Sequence, residues 1–186
     1  MTEAGTLPLV GLTSYQALAL AGAPWPEGSN KTVVITSGAG GTGFLAVQMA
    51  RAFAAGRIVT AAASAPPLHS QPPSRSPTRV AVEGRRTQVQ WVKSLGATEV
   101  VDYSQEEVWG AVADNSVDVV YNNYNGKGNA DMAMRKLKQG GFYIAIIGPL
   151  SSRPKPGVVQ KSFLVNATRP RDLVSRHLGH SSKRSN

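Results

Sequence analysis

A chain of 186 residues, 41% hydrophobic and without cysteine, suits one domain with a sizeable core and excludes disulfides and thiolate-held metals. No apolar run is long enough to span a bilayer and no charged-then-apolar signal opens the sequence, which points to a soluble cytoplasmic protein with no membrane partner. The formal charge of +9 invites a nucleic-acid partner, but residues 65–90 carry +3 of it and residues 151–186 carry +7, leaving −1 for the rest, and no aromatic residues are interleaved with the charges as a stacking surface requires.

The first predicted element is a helix over Leu7–Leu20, where Thr13 reads most simply as a polar helix-start residue. Pro24, Pro26 and Gly28 then break the chain. A β-branched run, Val33-Val34-Ile35, enters the glycine cluster Gly38-Ala39-Gly40-Gly41-Thr42-Gly43, and an apolar pattern with helical spacing leaves it, running to about Ala55 with Gly56 as a C-cap. Strand, tight turn and helix in this order form a dinucleotide-binding turn. Gly38, Gly40 and Gly43 fit G-x-G-x-x-G: the first permits the sharp turn, the second lets backbone approach a pyrophosphate, and the third packs helix against strand. The amides that open the helix have no intrahelical partner and point at the anion. Phe44 stands where a P-loop would need lysine, so a Walker motif is excluded.

The second strand, Arg57–Ser64, ends where a dinucleotide fold meets the adenosine ribose. An NAD enzyme places Asp or Glu there to hold the 2′-hydroxyl; this chain offers Ala63, Ser64 and Ala65, which leaves room for a 2′-phosphate and favours NADP(H) over NAD. Ser64 is accordingly a candidate cofactor contact. Residues 65–86 then change character, with five prolines between Pro66 and Pro77 and four arginines by Arg86, and read as a disordered insertion.

Regular structure resumes as a short helix, Gln88–Leu95, stopped by Gly96. Strand three is expected at Glu99–Tyr103, a helix at about Gln105–Ala113, strand four at Val117–Asn123, a helix at Asp131–Lys138, strand five at Gly141–Gly148 and strand six at Lys161–Ala167. Apolar strands alternating with helices describe an α/β fold with a doubly wound parallel sheet in the order 3-2-1-4-5-6, occupying residues 1–173. Residues 174–186 read as a disordered basic tail. All three histidines, His69, His177 and His180, lie in irregular stretches, so the regular part supplies no metal site and no histidine dyad.

Five motifs in sequence carry a family resemblance: Gly11-Leu12-Thr13-Ser14-Tyr15-Gln16-Ala17-Leu18; the Gly38–Gly43 turn with Ala46-Val47-Gln48-Met49-Ala50; Ser94-Leu95-Gly96-Ala97-Thr98-Glu99-Val100-Val101-Asp102-Tyr103; Val119-Val120-Tyr121-Asn122-Asn123-Tyr124; and Gly140-Gly141 through Ile147-Gly148. Together they resemble the cofactor half of the medium-chain dehydrogenase/reductase superfamily, in its zinc-independent quinone oxidoreductase-like branch. The resemblance covers about residues 5–64 and 88–173. It implies NADPH-dependent reduction of a quinone or an α,β-unsaturated carbonyl by hydride transfer. It also implies that Thr13 and Asn123 lie near the nicotinamide and its ribose, and that Tyr103 lies beside the adenosine ribose phosphate. Ile147, Gly148, Phe163 and Leu164 would then surround the nicotinamide. Read without the resemblance, Tyr103 could merely cap the sheet and Phe163 could be core.

The family precedes this domain with a GroES-like catalytic lobe, and the sequence begins after nearly all of it. The expected function is therefore the NADPH-binding domain of such a reductase, incomplete and weakly active or inactive alone, since hydride transfer needs the substrate held in a water-poor cleft. Family dimers pair through the sixth strand, so a homodimer through that edge is a further expectation. A non-catalytic nucleotide-binding or interaction module is the alternative, with a basic nucleic-acid binder behind it.

Overall fold

The computed structural model describes residues 3–63 and 87–163. Alternating β-branched and apolar runs build β1 (Thr32–Ile35), β2 (Arg57–Ala62), β3 (Glu99–Asp102), β4 (Val117–Asn122), β5 (Leu137–Ala145) and β6 (Val159–Ser162). All neighbouring pairs are parallel, and the sheet order is β3-β2-β1-β4-β5-β6, the doubly wound arrangement the sequence implies.

Both faces of the sheet are covered, which is why its strands are apolar on successive residues. Val33, Ile35, Tyr121 and Ile144 join one core with α1 (Glu3–Leu20), α2 (Gly43–Ala52) and α3 (Gln88–Ser94). Val34, Val120 and Tyr143 point the other way, into a second core with α4 (Asn129–Lys136) and Trp109. Each fully buried aliphatic side chain in these layers contributes about 1.5–3 kcal/mol of transfer free energy.

Several boundaries differ from the sequence expectation, each for a local reason. The expected helix at 105–113 is only a 3-10 turn at Val108–Ala111. The Asp102 carboxylate captures the backbone N–H and hydroxyl of Ser104, a local alternative that competes with helix formation. Helix α2 stops at Ala52, and Ala54 takes the left-handed position at φ 63 that the sequence reading gave to Gly56. Gly56 and Arg57 instead donate their amides to the Lys31 carbonyl. Strand β5 starts four residues early, at Leu137, because α4 begins at Asn129 behind Gly128 and ends at Lys136. Strand β6 begins at Val159, ahead of the expected Lys161, and ends at Ser162. Residues 164–167 of the expected sixth strand, the proposed insertion at 65–86 and the tail at 174–186 lie outside the described residues. Among the described residues, no helix is long and apolar enough to cross a membrane.

Candidate functional site

The order in which strands are added reverses between β1 and β4, and in open α/β sheets the crevice beyond the strand ends at that point is where ligands bind. The glycine turn leaves β1 there. It hangs between both neighbouring strands, with the Thr36 amide donating to the Tyr121 carbonyl at 3.2 Å and the Gly38 amide to the Ala61 carbonyl at 2.9 Å.

Two glycines are required by space. A Cβ on Gly43 would lie 1.7 Å from the Ser37 carbonyl oxygen, so helix α2 can start against the turn only with hydrogen at this position. A Cβ on Gly38 would lie 2.5 Å from Thr60 Oγ1. This corrects the reading of Gly38 as the residue of the sharp turn: it avoids the left-handed region and is small because β2 approaches it. The backbone amides of Gly40, Gly41 and Thr42 make no hydrogen bond among the described residues, and the Thr42 side chain makes no capping bond to the first turn of α2. Free donors at a helix mouth suit an anion. Ala39 turns inward against the α1–α2 core.

Asn123 closes the turn from the β4 side. Its Oδ1 accepts the Ser37 N–H at 2.9 Å, and its Nδ2 donates to the Ser37 carbonyl at 2.9 Å and to Thr42 Oγ1 at 3.3 Å. Its own amide donates to Thr36 Oγ1. The resemblance implies a place near the nicotinamide for Asn123; its polar side-chain atoms face the turn. Thr13 is not a helix-start residue but sits in the middle of α1, 7% exposed, donating to the Leu9 carbonyl at 2.7 Å. Its neighbour Ser14 reaches the Thr42 carbonyl at 2.7 Å and so fastens α1 to the turn.

Beside the turn opens a cleft of about 450 Å³, bounded by Thr36, Ser37 and Ala61 inside and by Tyr103, Glu107 and Tyr124 outside. Tyr103 is 64% exposed and Tyr124 59%, so Tyr103 lines the cleft and does not cap the sheet. Ile147 and Gly148 stand past the end of β5, where the Ile147 carbonyl accepts from Asn122 Nδ2 at 3.0 Å. Phe163 packs against the α1–α2 core, the simpler of its two readings. Ser64 and Leu164 lie outside the described residues.

Sequence reasoning overlooked an asparagine network next to this cleft. Asn129 Nδ2 donates to Asn122 Oδ1 at 3.2 Å and to the Tyr124 carbonyl at 3.1 Å, while Asn129 Oδ1 accepts from Trp109 Nε1 at 3.3 Å. These bonds hold the β4–α4 loop at the rim. The signal was available: asparagines at 122, 123, 125 and 129, crowded just past an apolar strand.

No family model matches the sequence. A 2-methylene-furan-3-one reductase of Solanum lycopersicum is 28% identical over 150 residues, spanning 80% of this chain and 31% of that protein. A chloroplast envelope quinone oxidoreductase homolog of Arabidopsis thaliana is 34% identical over 107 residues, 56% of this chain and 26% of that one. The chain thus matches about a third or less of the length of these curated relatives. Among solved structures, the quinone oxidoreductase of Coxiella burnetii superposes with a TM-score of 0.64 at 23% identity, over 94% of this chain and 46% of that one. The quinone oxidoreductase of Thermus thermophilus, solved alone and with NADPH, gives a TM-score of 0.59 at 24% identity, over 95% of this chain and 51% of that one. The chain is thus similar in sequence to an enone reductase and a quinone oxidoreductase homolog over about a third or less of their length, and it shares its doubly wound parallel fold with solved quinone oxidoreductases.

Proposed function

We propose that the chain is the NADPH-binding part of a zinc-independent oxidoreductase that reduces quinones or α,β-unsaturated carbonyls. The observation that carries this reading is the braced glycine turn, with Gly43 tight against Ser37 and the Gly40, Gly41 and Thr42 amides unbonded at the mouth of α2. That cradle fits a dinucleotide pyrophosphate, and a side chain on Gly43 would push α2 off the turn that shapes it, by collision with the Ser37 carbonyl. Tyr103 and Tyr124 would flank the adenosine, and Thr13, Ile147 and Gly148 would face the nicotinamide end. When bound, the cofactor would supply hydride to an electron-poor carbon of the substrate. The chain's own part is to fix the dinucleotide's position and to keep one wall of the cleft dry.

The phosphate preference rests on the sequence just past β2, where Ala63, Ser64 and Ala65 offer no carboxylate to a ribose 2′-hydroxyl. In this reading the second wall of the substrate pocket comes from a GroES-like lobe, and the described residues supply the cofactor-side wall. Strand β6 ends the sheet with three of its four residues exposed, an edge suited to pairing with a second copy.

Titration with NADPH and NADH, followed by nicotinamide fluorescence, tests the binding step. Binding of NADPH in preference to NADH is expected; no response to either dinucleotide removes the proposal. Addition of a quinone or an enone then reads catalysis as loss of NADPH. Binding without turnover favours the second reading, a nucleotide-binding module, which the short match to the curated relatives keeps open.

A further inference from the structure

The sequence places one asparagine directly before a glycine, Asn125-Gly126, and the fold leaves that pair in the loop between β4 and α4. Asn125 is exposed, and its side-chain amide makes no hydrogen bond among the described residues. Gly126 has no Cβ to shield its backbone nitrogen from the side chain before it. The Gly126 amide donates only to the Tyr124 carbonyl, at 3.0 Å, a contact that spans two residues and belongs to no helix or ladder.

The other described asparagines are held or shielded. Asn122, Asn123 and Asn129 all commit their side-chain amides to hydrogen bonds. Asn115, ahead of Ser116, accepts from Lys155 Nζ, and the Ser116 amide donates to the Lys136 carbonyl at 2.9 Å. Asn30 precedes Lys31, whose Cβ crowds its backbone nitrogen.

We propose that Asn125-Gly126 is a site of self-modification, at which the Gly126 nitrogen bonds to Asn125 Cγ and the Cγ–Nδ2 bond breaks. The displaced nitrogen leaves as ammonia, carrying the Gly126 amide proton. Water then opens the cyclic imide on either side of the Gly126 nitrogen. Cleavage of the new bond to Cγ gives an aspartyl side chain; cleavage of the bond to the main-chain carbonyl gives an isoaspartyl link, with the chain routed through Cβ and Cγ. No oxidation state changes, and water is the only co-reactant.

Both products put a carboxylate where a neutral amide stood. Asn125 Oδ1 lies so near Gly148 that a Cβ on that glycine would sit 3.0 Å from it, so the charge appears between the loops that follow β4 and β5. The isoaspartyl product also lengthens a loop fastened by the bonds of Asn129 Nδ2 and the Gly126 amide to the Tyr124 carbonyl. The consequence, which rests on the nucleotide-binding reading above, is a rim that repels the dinucleotide phosphates and a chain that loses cofactor affinity as it ages.

The test ages the full chain in warm, mildly alkaline buffer and follows it by peptide mapping with mass spectrometry. Conversion at Asn125 should run at least about tenfold faster than at Asn115. Labelling by an isoaspartyl methyltransferase should mark the rearranged fraction. Asn125→Gln, whose longer side chain must close a larger ring, should remove the fast conversion. NADPH affinity of the aged native chain should fall about three- to tenfold, the scale of one like charge at an exposed rim, while aged Asn125→Gln keeps its fresh value. Conversion at Asn125 no faster than at Asn115 overturns the site. Fast conversion with unchanged NADPH affinity overturns its link to binding. A fresh chain that binds no NADPH removes the nucleotide reading, and the peptide map alone then decides the site.

Discussion

The Asn123 side chain brackets a single residue of its neighbour in space, accepting the Ser37 N–H and donating to the Ser37 carbonyl, both at 2.9 Å. Eighty-six residues separate the two in sequence, so this bond pair ties the end of β4 to the turn after β1. The consequence is a turn whose shape depends on a primary amide. Asn123→Asp keeps the size but replaces the donor with an acceptor facing two oxygens, Ser37 O and Thr42 Oγ1. Stability should fall by about 1–3 kcal/mol, the cost of an unmatched buried polar group. NADPH affinity should fall at least about tenfold, because the new charge sits beside the pyrophosphate cradle. Thermal unfolding with and without NADPH measures both, and an unchanged ligand-induced shift would contradict the role given to this residue.

Neighbouring glycines in the turn should respond very differently to the same methyl group. At Gly43 a Cβ would meet Ser37 O at 1.7 Å, a backbone atom that cannot turn aside, whereas at Gly41 the nearest obstacle is Val10 Cγ1 at 3.9 Å. Gly43→Ala should cost roughly 2–4 kcal/mol through forced separation of helix and turn. Gly41→Ala should stay within about 0.5 kcal/mol, as exposed substitutions without special backbone geometry do. Urea unfolding of both variants gives the comparison, and equal midpoints would mean that the close approach at Gly43 is not rigidly held.

Much of this arrangement was legible in the sequence, because the strong signals were local. The run Val33-Val34-Ile35 before a glycine cluster, and apolar strands recurring along the chain, are enough to give the sheet order through right-handed crossovers. What escaped depends on partners distant in sequence. Gly38 looks like a turn glycine until β2 brings Thr60 against it. Thr13 reads as a polar helix-start residue, yet the helix begins at Glu3 and leaves Thr13 in its middle. The segment after β3 has helical composition, but Asp102 diverts its amides into a turn, and Glu106 and Glu107 thereby reach a cleft that no spacing rule assigns to them.

At the opposite end of the sheet, Asp118 gathers three donors: Lys138 Nζ at 2.8 Å, the Thr32 amide at 2.9 Å and Lys31 Nζ at 3.3 Å. Burial by itself would raise this carboxyl, but the bonds from Lys138, Thr32 and Lys31 outweigh it and hold Asp118 below the usual carboxylate value. A depressed folded value means that the stabilisation is complete above the unfolded carboxylate range and is lost as pH falls through the folded value. Both lysines are substantially exposed, at 38% and 43%, so solvent screens the pair and D118N should cost only about 1 kcal/mol near neutrality. The gap between native chain and D118N should close on acidification. Denaturant midpoints across the acid range provide the measurement, and a gap constant with pH would assign the effect to the Thr32 amide contact instead of the charge.

Tyr143 should behave in the opposite sense at alkaline pH. Its ring is fully buried between β5 and α4, its hydroxyl has no hydrogen-bond partner among the described residues, and burial, aided by the Asp131 carboxylate, pushes its pKa up to about 12. The unfolded chain ionises this phenol near its ordinary value of 10.0. Between those two values the unfolded state gains from ionisation while the folded state does not, so stability falls as pH rises across that window and is unaffected by this group below it. Tyr143→Phe removes both the titration and a buried hydroxyl without a partner. At neutral pH the variant should therefore match or exceed native stability by up to about 1 kcal/mol, since no hydrogen bond is lost and a desolvation cost disappears. Its advantage should widen between pH 10 and about 12. Denaturant unfolding at neutral and alkaline pH, with tyrosinate absorbance recorded in parallel, decides the matter. A variant less stable than the native chain at neutral pH would show that the hydroxyl makes a bond worth keeping.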